Sequence, residues 1–316
     1  VDRPIRIGVS SCLLGEEVRF DGGHKRDDFL VDVFGPHVEW IPVCPEVEIG
    51  LGVPREPIRL ERRDGLVHLI AAQSRRDHAQ TMRLWSRRRL SDLARDELSG
   101  YVLKSKSPSC GMHSVPIYGE NGILAQRGRG LFAEALLEEF PNLPVEEERR
   151  LNDPVVRGHF IECVFAYHRL RGLFHGRWRM RDVVEFHAAH KLLLMAHSIK
   201  HYRALTRLAA EIRTAPRWEF RSRYEAGFME AMRGHATAAK HARVLGQIAR
   251  DLAGCLDREE RKELLEIILD YSRGRTPLLA PLTLIRHYAW KYQLTDLHRQ
   301  AYLQPDPKEW ILRNRV

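Results

Sequence analysis

The chain is 316 residues long, 44% hydrophobic and 29% charged, a composition that excludes a disordered or fibrous protein and leaves room for two domains, each with its own core. No stretch approaches the roughly 18 uninterrupted apolar residues of a membrane-spanning helix, and the N-terminal VDRPIRIGVSS lacks the basic-then-apolar-then-small succession of an export signal; a cytoplasmic location with no membrane partner is expected. Five cysteines in such a chain do not make a disulfide framework, which leaves packing, metal ligation and nucleophilic chemistry as their uses.

In the first half, three short apolar runs predict strands: IRIGVSSC over 5–12, VEWIPVCPE over 38–46 and GYVLKSKSPSC over 100–110. Between the second and third, Met82, Leu84, Trp85, Leu90, Leu93, Ala94 and Leu98 recur at helical spacing before Gly100, which reads as a terminating glycine. The strand, helix, strand order predicts a Rossmann-like α/β domain on a parallel sheet over residues 1–150. GRGLFAEALLEEF, 128–140, reads as a further helix opened by glycines. The proline-bracketed charged stretch 141–154 reads as a linker, followed by a bridging helix, so that 151–181 connects two domains. From 182 to 316 apolar residues recur at three- and four-residue intervals, predicting an all-α helical bundle.

The net charge of +9 is unevenly shared: residues 1–150 hold 22 Lys and Arg against 24 Asp and Glu, whereas residues 151–316 hold 29 against 18. That asymmetry points to nucleic acid as a partner of the second half, with a solvated basic face as the plainer alternative. HGRWRMRD, 175–182, and RWEFRSRYE, 217–225, interleave arginine with aromatics. Arg177, Arg179, Arg181, Arg217, Arg221 and Arg223, together with Lys191, are therefore candidate RNA contacts, and Lys200 and Lys240 add charge on helices. Trp178, Trp218 and Phe220 would carry the same pattern if they were only core anchors.

Cys12, Cys44 and Cys110 share one context. Each comes at or shortly beyond the carboxyl end of a predicted strand, and in an open α/β sheet those ends converge on the ligand crevice. Structural zinc sites usually show close pairs of the C-x-x-C kind, absent here, whereas an iron–sulfur cluster accepts dispersed thiolates. Three thiolates would leave one iron of a four-iron cluster free of protein, a Lewis acid toward soft sulfur. Three unrelated buried cysteines are the alternative. Cys163 and Cys255 lie within helical apolar patterns and read as packing residues. Glu46 and Glu48 follow Cys44 in a glycine- and proline-rich segment expected not to form a regular helix, and either carboxylate could act as a general base. Ser107 and Ser109 flank Pro108 as substrate contacts or turn caps, and RGRG at 127–130 offers helix-start amides to an anion or a polar ring.

SSCLLGEEVRFDG, PVCPEVEIGLGVPREP and LKSKSPSCG are similar, in order and separation, to the three cysteine motifs of the thiouracil desulfidase (TudS) family, and RGRGLFAEAL resembles that family's glycine-rich helix start. HKLLLMAHSIKHYRAL, ARVLGQIARDL, LLAPLTLIRHYAWKY and QAYLQPDPKEWILRN resemble the YbgA-type helical domain, and the fusion resembles the RudS group. The resemblance implies a non-redox desulfidase with a 4Fe-4S cluster that converts 4-thiouridine in tRNA to uridine and hydrogen sulfide. It places the cluster on Cys12, Cys44 and Cys110 and the catalytic work on Glu46 and Ser107, with Ser109 beside them; Glu46 would orient or deprotonate the attacking water. Lys104 and Lys106 are then expected to face the phosphate backbone, and no obligate protein partner is inferred. Two other functions fit the same motifs: a small-molecule 2-thiouracil desulfidase, and a non-catalytic nucleic-acid-binding iron–sulfur protein.

Overall fold

The computed structural model describes residues 3–119, 122–211 and 216–314. The chain divides into two compact units, Val1–His168 with Ile311–Val316, and Arg169–Trp310. The first runs through β1 (Arg6–Ser10), β2 (Glu39–Val43), α1 (Pro45–Glu48), β3 (Ile58–Arg63), β4 (Leu66–Ala71), α2 (Ala79–Arg95), β5 (Gly100–Leu103), β6 (Val115–Gly119), β7 (Gly122–Gly128), α3 (Leu131–Glu139), β8 (Val145–Glu147) and into α4 (Pro154–Leu173).

The three predicted strands are present and pair in parallel, in the order β2-β1-β5-β8, with β8 as a fourth member. Alternation along each strand separates two cores. Tyr101 and Leu103 join Val43 and the apolar faces of α2 and α3, whereas Ile7, Val9 and Val102 join Leu30, Phe34 and the α4 residues Phe160, Ile161 and Val164. A second sheet, β4-β3-β6-β7, mixes antiparallel hairpins with one parallel pair, β3 with β6. Charged residues in IRLERRDGLVHLI hide its alternation, but the hairpin turn is explicit: Asp64 and Gly65 both take positive φ, 49° and 78°, as a tight two-residue turn requires.

Two sequence expectations change. Gly100 does not terminate α2, which ends at Arg95; it opens β5, where a Cβ would lie 2.7 Å from Val164 Cγ2, so the glycine is needed for close approach of α4 to the sheet. Cys255 is exposed beyond the end of α8 and is not a packing residue, whereas Cys163 is buried on α4 as expected.

The second unit is all helical, as predicted. From the later part of α4 it runs through α5 (Met180–Ala189), α6 (Lys191–Ala210), α7 (Arg217–Arg233), α8 (Ala238–Leu252), α9 (Arg258–Ser272), α10 (Leu279–Lys291), α11 (Thr295–His298) and into α12 (Pro307–Asn314). Phe220, Tyr224 and Phe228, spaced four apart on α7, are fully buried, and Leu245, Ile248, Leu264 and Ile285 extend the apolar interior. Among the described residues no helix is long and apolar enough to cross a membrane.

Burial lowers the pKa of two histidines in this unit, His187 and His190. His190 Nδ1 donates to the Phe186 carbonyl at 2.8 Å, and its Nε2 accepts from Arg169 Nε at 3.2 Å, so both ring nitrogens are committed without a second proton. Burial, helped by the adjacent guanidinium, pulls its pKa from the usual 6.5 to about 3. A base whose pKa falls on folding binds fewer protons folded than unfolded, so its stabilising contribution is complete above pH 6.5 and is lost as pH falls toward about 3. His190→Gln should lower the thermal midpoint at neutral pH, and the gap between wild type and variant should close on acidification through this window; a constant gap would contradict the assignment.

Candidate active site

Cys12 lies in the short 3-10 turn Ser11–Leu14 directly after β1, Cys44 follows β2 immediately, and Cys110 lies in the loop after β5. Because β2, β1 and β5 are neighbours in one parallel sheet, their carboxyl ends adjoin, and all three thiols line a single cavity of about 370 Å³. Cys12 and Cys44 are half-buried and Cys110 is buried, and none is in a disulfide. Burial pushes the Cys12 thiol up to about 11, with Lys104 opposing, and also raises Cys44 and Cys110. The three are in electrostatic reach of one another, since ionising Cys44 raises Cys12, and either of these raises Cys110 after burial and Glu46. Three sulfurs sharing one cavity form a donor set suited to a soft, thiophilic cation, whose charge would repay their ionisation.

The segment after Cys44, expected to be irregular, folds into the single helical turn α1, with Pro45 at its first position where the fixed φ suits the helix and the missing N–H costs nothing. The turn separates the two glutamates. Glu48 points away from the cavity: its Oε1 accepts the Cys44 amide at 3.2 Å and its Oε2 lies 3.3 Å from Arg89 Nε. Glu46 lines the cavity. Its Oε2 is gripped by Arg55 through Nη2 at 2.5 Å and Nε at 3.1 Å, and Oε1 accepts from Ser109 Oγ at 2.6 Å and lies 3.4 Å from Ser107 Oγ.

The loop carrying Cys110 is shaped by Ser107, whose Oγ accepts the amides of Ser109 and Cys110 at 3.3 and 3.1 Å. Its proton is held within the site, since Ser107 Oγ lies 2.9 Å from Ser109 Oγ, whose own proton goes to Glu46, and 3.4 Å from Glu46 Oε1. Ser109 is fully buried and acts on Glu46, whereas Ser107 is partly exposed in the cavity. The amides at the start of α3 are not available to a ligand, contrary to expectation: Gly130, Leu131 and Phe132 donate to the carbonyls of Gly111, Pro108 and Ser109. A Cβ at residue 130 would lie 2.4 Å from the Ser109 carbonyl oxygen, so RGRG supports the loop by close contact.

Lys104 is drawn inward by an ion pair with buried Glu148, whose other oxygen accepts the Ser105 amide at 2.6 Å; Lys106 is exposed in a positive-φ turn at the cavity edge. Arg55, Lys25 and Arg149 also line the cavity and were not singled out by sequence. Arg55 lies within the cysteine motif segment PREP, nine residues after Glu46, and that proximity is the one signal that could have found it.

In the second unit the two arginine-aromatic runs meet. Trp178 and Phe220 are buried with ring centroids 5.9 Å apart, Arg217 stacks over Trp178 at 5.1 Å and Arg221 over Phe174 at 5.6 Å. Those two aromatics are core anchors, whereas Trp218 is 74% exposed. Arg177 and Arg179 are exposed; Arg181, Arg221 and Arg223 make solvent-facing pairs with Asp182, Glu225 and Glu219, which are weak enough to exchange for phosphate. Lys191 lines a different cavity of this unit, and Lys240 is committed to the carbonyls of His197 and His235 at 2.8 Å.

Arg55→Met should leave the Glu46 carboxylate without its cation in a site where the pair's side chains are only 5% and 14% exposed, costing about 3 kcal/mol of stability in urea denaturation. An unchanged midpoint would mean that solvent replaces the guanidinium.

Residues 7–148 match the family model described as 2-thiouracil desulfurase, and residues 191–307 match a family described as protein of unknown function DUF1722. The chain is 30% identical over 155 residues to the uncharacterized protein YbgA of Escherichia coli strain K12, covering 48% of this chain and 90% of that one. It is 31% identical over 156 residues to the uncharacterized protein YbbK of Bacillus subtilis strain 168, covering 46% of this chain and 98% of that one. Among solved structures, a 4Fe-4S-dependent thiouracil desulfidase, TudS, is 31% identical and aligns with 47% of this chain and 94% of its own at a TM-score of 0.38. Through residues 7–148 the chain belongs to the 2-thiouracil desulfurase family, joined over residues 191–307 to a DUF1722 domain.

Proposed function

We propose that the protein is a non-redox desulfidase that replaces the sulfur of 4-thiouridine in tRNA by oxygen, consuming water and releasing hydrogen sulfide. The observation that carries this reading is the convergence of Cys12, Cys44, Cys110 and the Arg55-held Glu46 on one cavity. The three-sulfur donor set fits a 4Fe-4S cluster held by Cys12, Cys44 and Cys110, which would supply a Lewis-acidic iron without a protein ligand, suited to a thiocarbonyl sulfur.

The chain's own groups account for the remaining requirements. Glu46 is the general base: Arg55 fixes one carboxylate oxygen and Ser109 the other, leaving the carboxylate edge on the cavity to take a proton from water attacking the ring carbon. Ser107, the partly exposed hydroxyl of the cavity, turns its proton from Ser109 Oγ and Glu46 toward the pyrimidine as the base enters, its lone pairs being taken by two amides. Glu48, committed to the Cys44 amide and Arg89, takes no part in proton transfer.

A polyanionic substrate is favoured over a free thiobase by the distribution of cations. Lys25, Lys106 and Arg149 line the cavity, are exposed, and have no ion-pair partner among the described residues, whereas Glu46 is the one acidic residue lining it and Arg55 already neutralises it. A free base gives such a rim nothing to bind, while nucleotide phosphates do. The Arg177, Arg179, Arg181, Arg217, Arg221 and Arg223 patch, with exposed Trp218, supplies RNA affinity from the second unit. A base within folded RNA must be displaced from its stack to enter the cavity.

Anaerobic reconstitution with iron and sulfide should give protein that depletes 4-thiouridine from tRNA, and Cys110→Ala should abolish this. Glu46→Gln should lower kcat at least about 100-fold with RNA binding retained. RNA affinity should fall by about three orders of magnitude between 50 and 200 mM salt. Metal-loaded protein that binds thiolated tRNA tightly but leaves it unchanged would establish the non-catalytic reading instead, and salt-independent turnover of free thiouracil would establish the small-molecule one.

A further inference from the structure

Of the chain's eleven phenylalanines, ten are buried or half-buried and Phe20 is exposed, at 38%. It is also the one aromatic among the described residues lining the three-cysteine cavity. A single exposed apolar side chain needs no explanation on an open surface, but this one lines the site that a planar ring has to enter. A base taken out of an RNA stack leaves its neighbouring bases behind, and the site that receives it replaces that contact with aromatic or apolar side chains.

Backbone contacts hold Phe20 beside the groups that do the chemistry. It lies on a loop that leaves and rejoins Cys12: the amides of Gly15 and Lys25 donate to the Cys12 carbonyl at 3.4 and 2.9 Å, and Gly15, at a φ of 97°, makes the reversal. Arg55 holds the same loop at its far end. Its amide donates to the Phe20 carbonyl at 2.9 Å, and its Nη2 donates to the Val18 carbonyl at 3.0 Å while gripping Glu46 Oε2. The carboxylate of Glu46 and the backbone next to the ring therefore share one guanidinium nitrogen. Cys44 Sγ lies 3.8 Å from the Val18 carbonyl oxygen, so this segment adjoins one of the sulfurs as well. Arg19, paired with Asp21 at 3.3 Å, lies over the Phe20 ring at 5.3 Å from its centroid, which covers one face of the ring and restricts its turning.

We propose that Phe20 is the stacking platform for the substrate pyrimidine, receiving the thiolated base face to face when it leaves the RNA stack. The inference rests on the desulfidase reading given above and adds to it the residue that sets the plane of the base relative to Glu46. Stacking is tolerant of base identity, because every base has a π-face. Selection of a thiolated base is then left to the groups around the cysteines, and Phe20 contributes affinity and orientation.

Phe20→Leu removes the π-face and keeps an apolar side chain, and because the residue is exposed the urea midpoint should stay near wild type. In protein reconstituted anaerobically with iron and sulfide, kcat/KM for tRNA containing 4-thiouridine should fall about tenfold, by the same factor at every salt concentration because no charge is removed. Phe20→Tyr should restore it. Long-wave ultraviolet light couples 4-thiouridine to the side chain it lies against. Irradiating that tRNA on reconstituted Glu46→Gln protein should attach the nucleotide to the peptide carrying Phe20, and adding Phe20→Leu should remove the attachment. Attachment only to other peptides, or an unchanged kcat/KM in Phe20→Leu, would overturn the stacking role while leaving the desulfidase reading intact. A clearly lower urea midpoint in Phe20→Leu would mark a packing residue and overturn it too. Wild-type protein that leaves thiolated tRNA unchanged would overturn both proposals.

Discussion

Parallel pairing of β2, β1 and β5 is the constraint on which the site depends. In a parallel sheet every strand delivers its following loop at the same edge, so three segments separated by 32 and 66 residues in the chain, at Cys12, Cys44 and Cys110, present their thiols together. Antiparallel pairing of any one of them would send its cysteine to the opposite end. The register also places Gly8 beside Tyr101, and the missing side chain leaves room for the ring.

What holds the loops in place is polar. Ser107 accepts two amides, Glu48 caps Cys44, Glu148 joins Lys104 to Ser105, and Glu147 Oε1 accepts the amides of Met112 and His113 at 2.8 and 3.1 Å. Glu147 and Glu148 are buried and Glu48 is more exposed, and each is spent on the loop backbone, an ion pair or both. The arrangement leaves Glu46 as the carboxylate facing the cavity, and it converts a motif with two adjacent glutamates into a site with one base. Buried networks of this kind are costly when incomplete and rigid when complete, which suits a site that must hold soft ligands and a base at fixed separation.

Helical periodicity made the second unit legible because each amphipathic helix carries its own record of which face is buried. Trp178 and Phe220 illustrate the limit: the arginines beside them could equally have flanked exposed rings, and burial was decided by Phe174, Trp178 and Phe220 meeting from separate segments, not by spacing. In the first unit, the second sheet was obscured because Arg59, Glu61 and Arg63 alternate outward on β3, and Arg75 closes on Glu61 from elsewhere in the chain. The Asp64-Gly65 turn was the readable sign of it. Gly100 was misread because glycine ends helices and also permits close packing, and only the position of Val164 distinguishes the two.

From residue types alone came the alternation of strands and helices, the all-helical second half, the placement of three cysteines beyond strand ends and the uneven charge. These are local or additive properties, and they survive without knowledge of what touches what. Tertiary structure decided which glutamate faces the cavity, that Lys104 is consumed by Glu148 while Lys106 remains exposed, that Arg55 governs Glu46, and that the buried Tyr101 hydroxyl has no hydrogen-bond partner among the described residues. Each depends on partners brought together by the sheet from distant parts of the chain, and the energies of buried charges and polar atoms are set by such partners, not by neighbours in sequence.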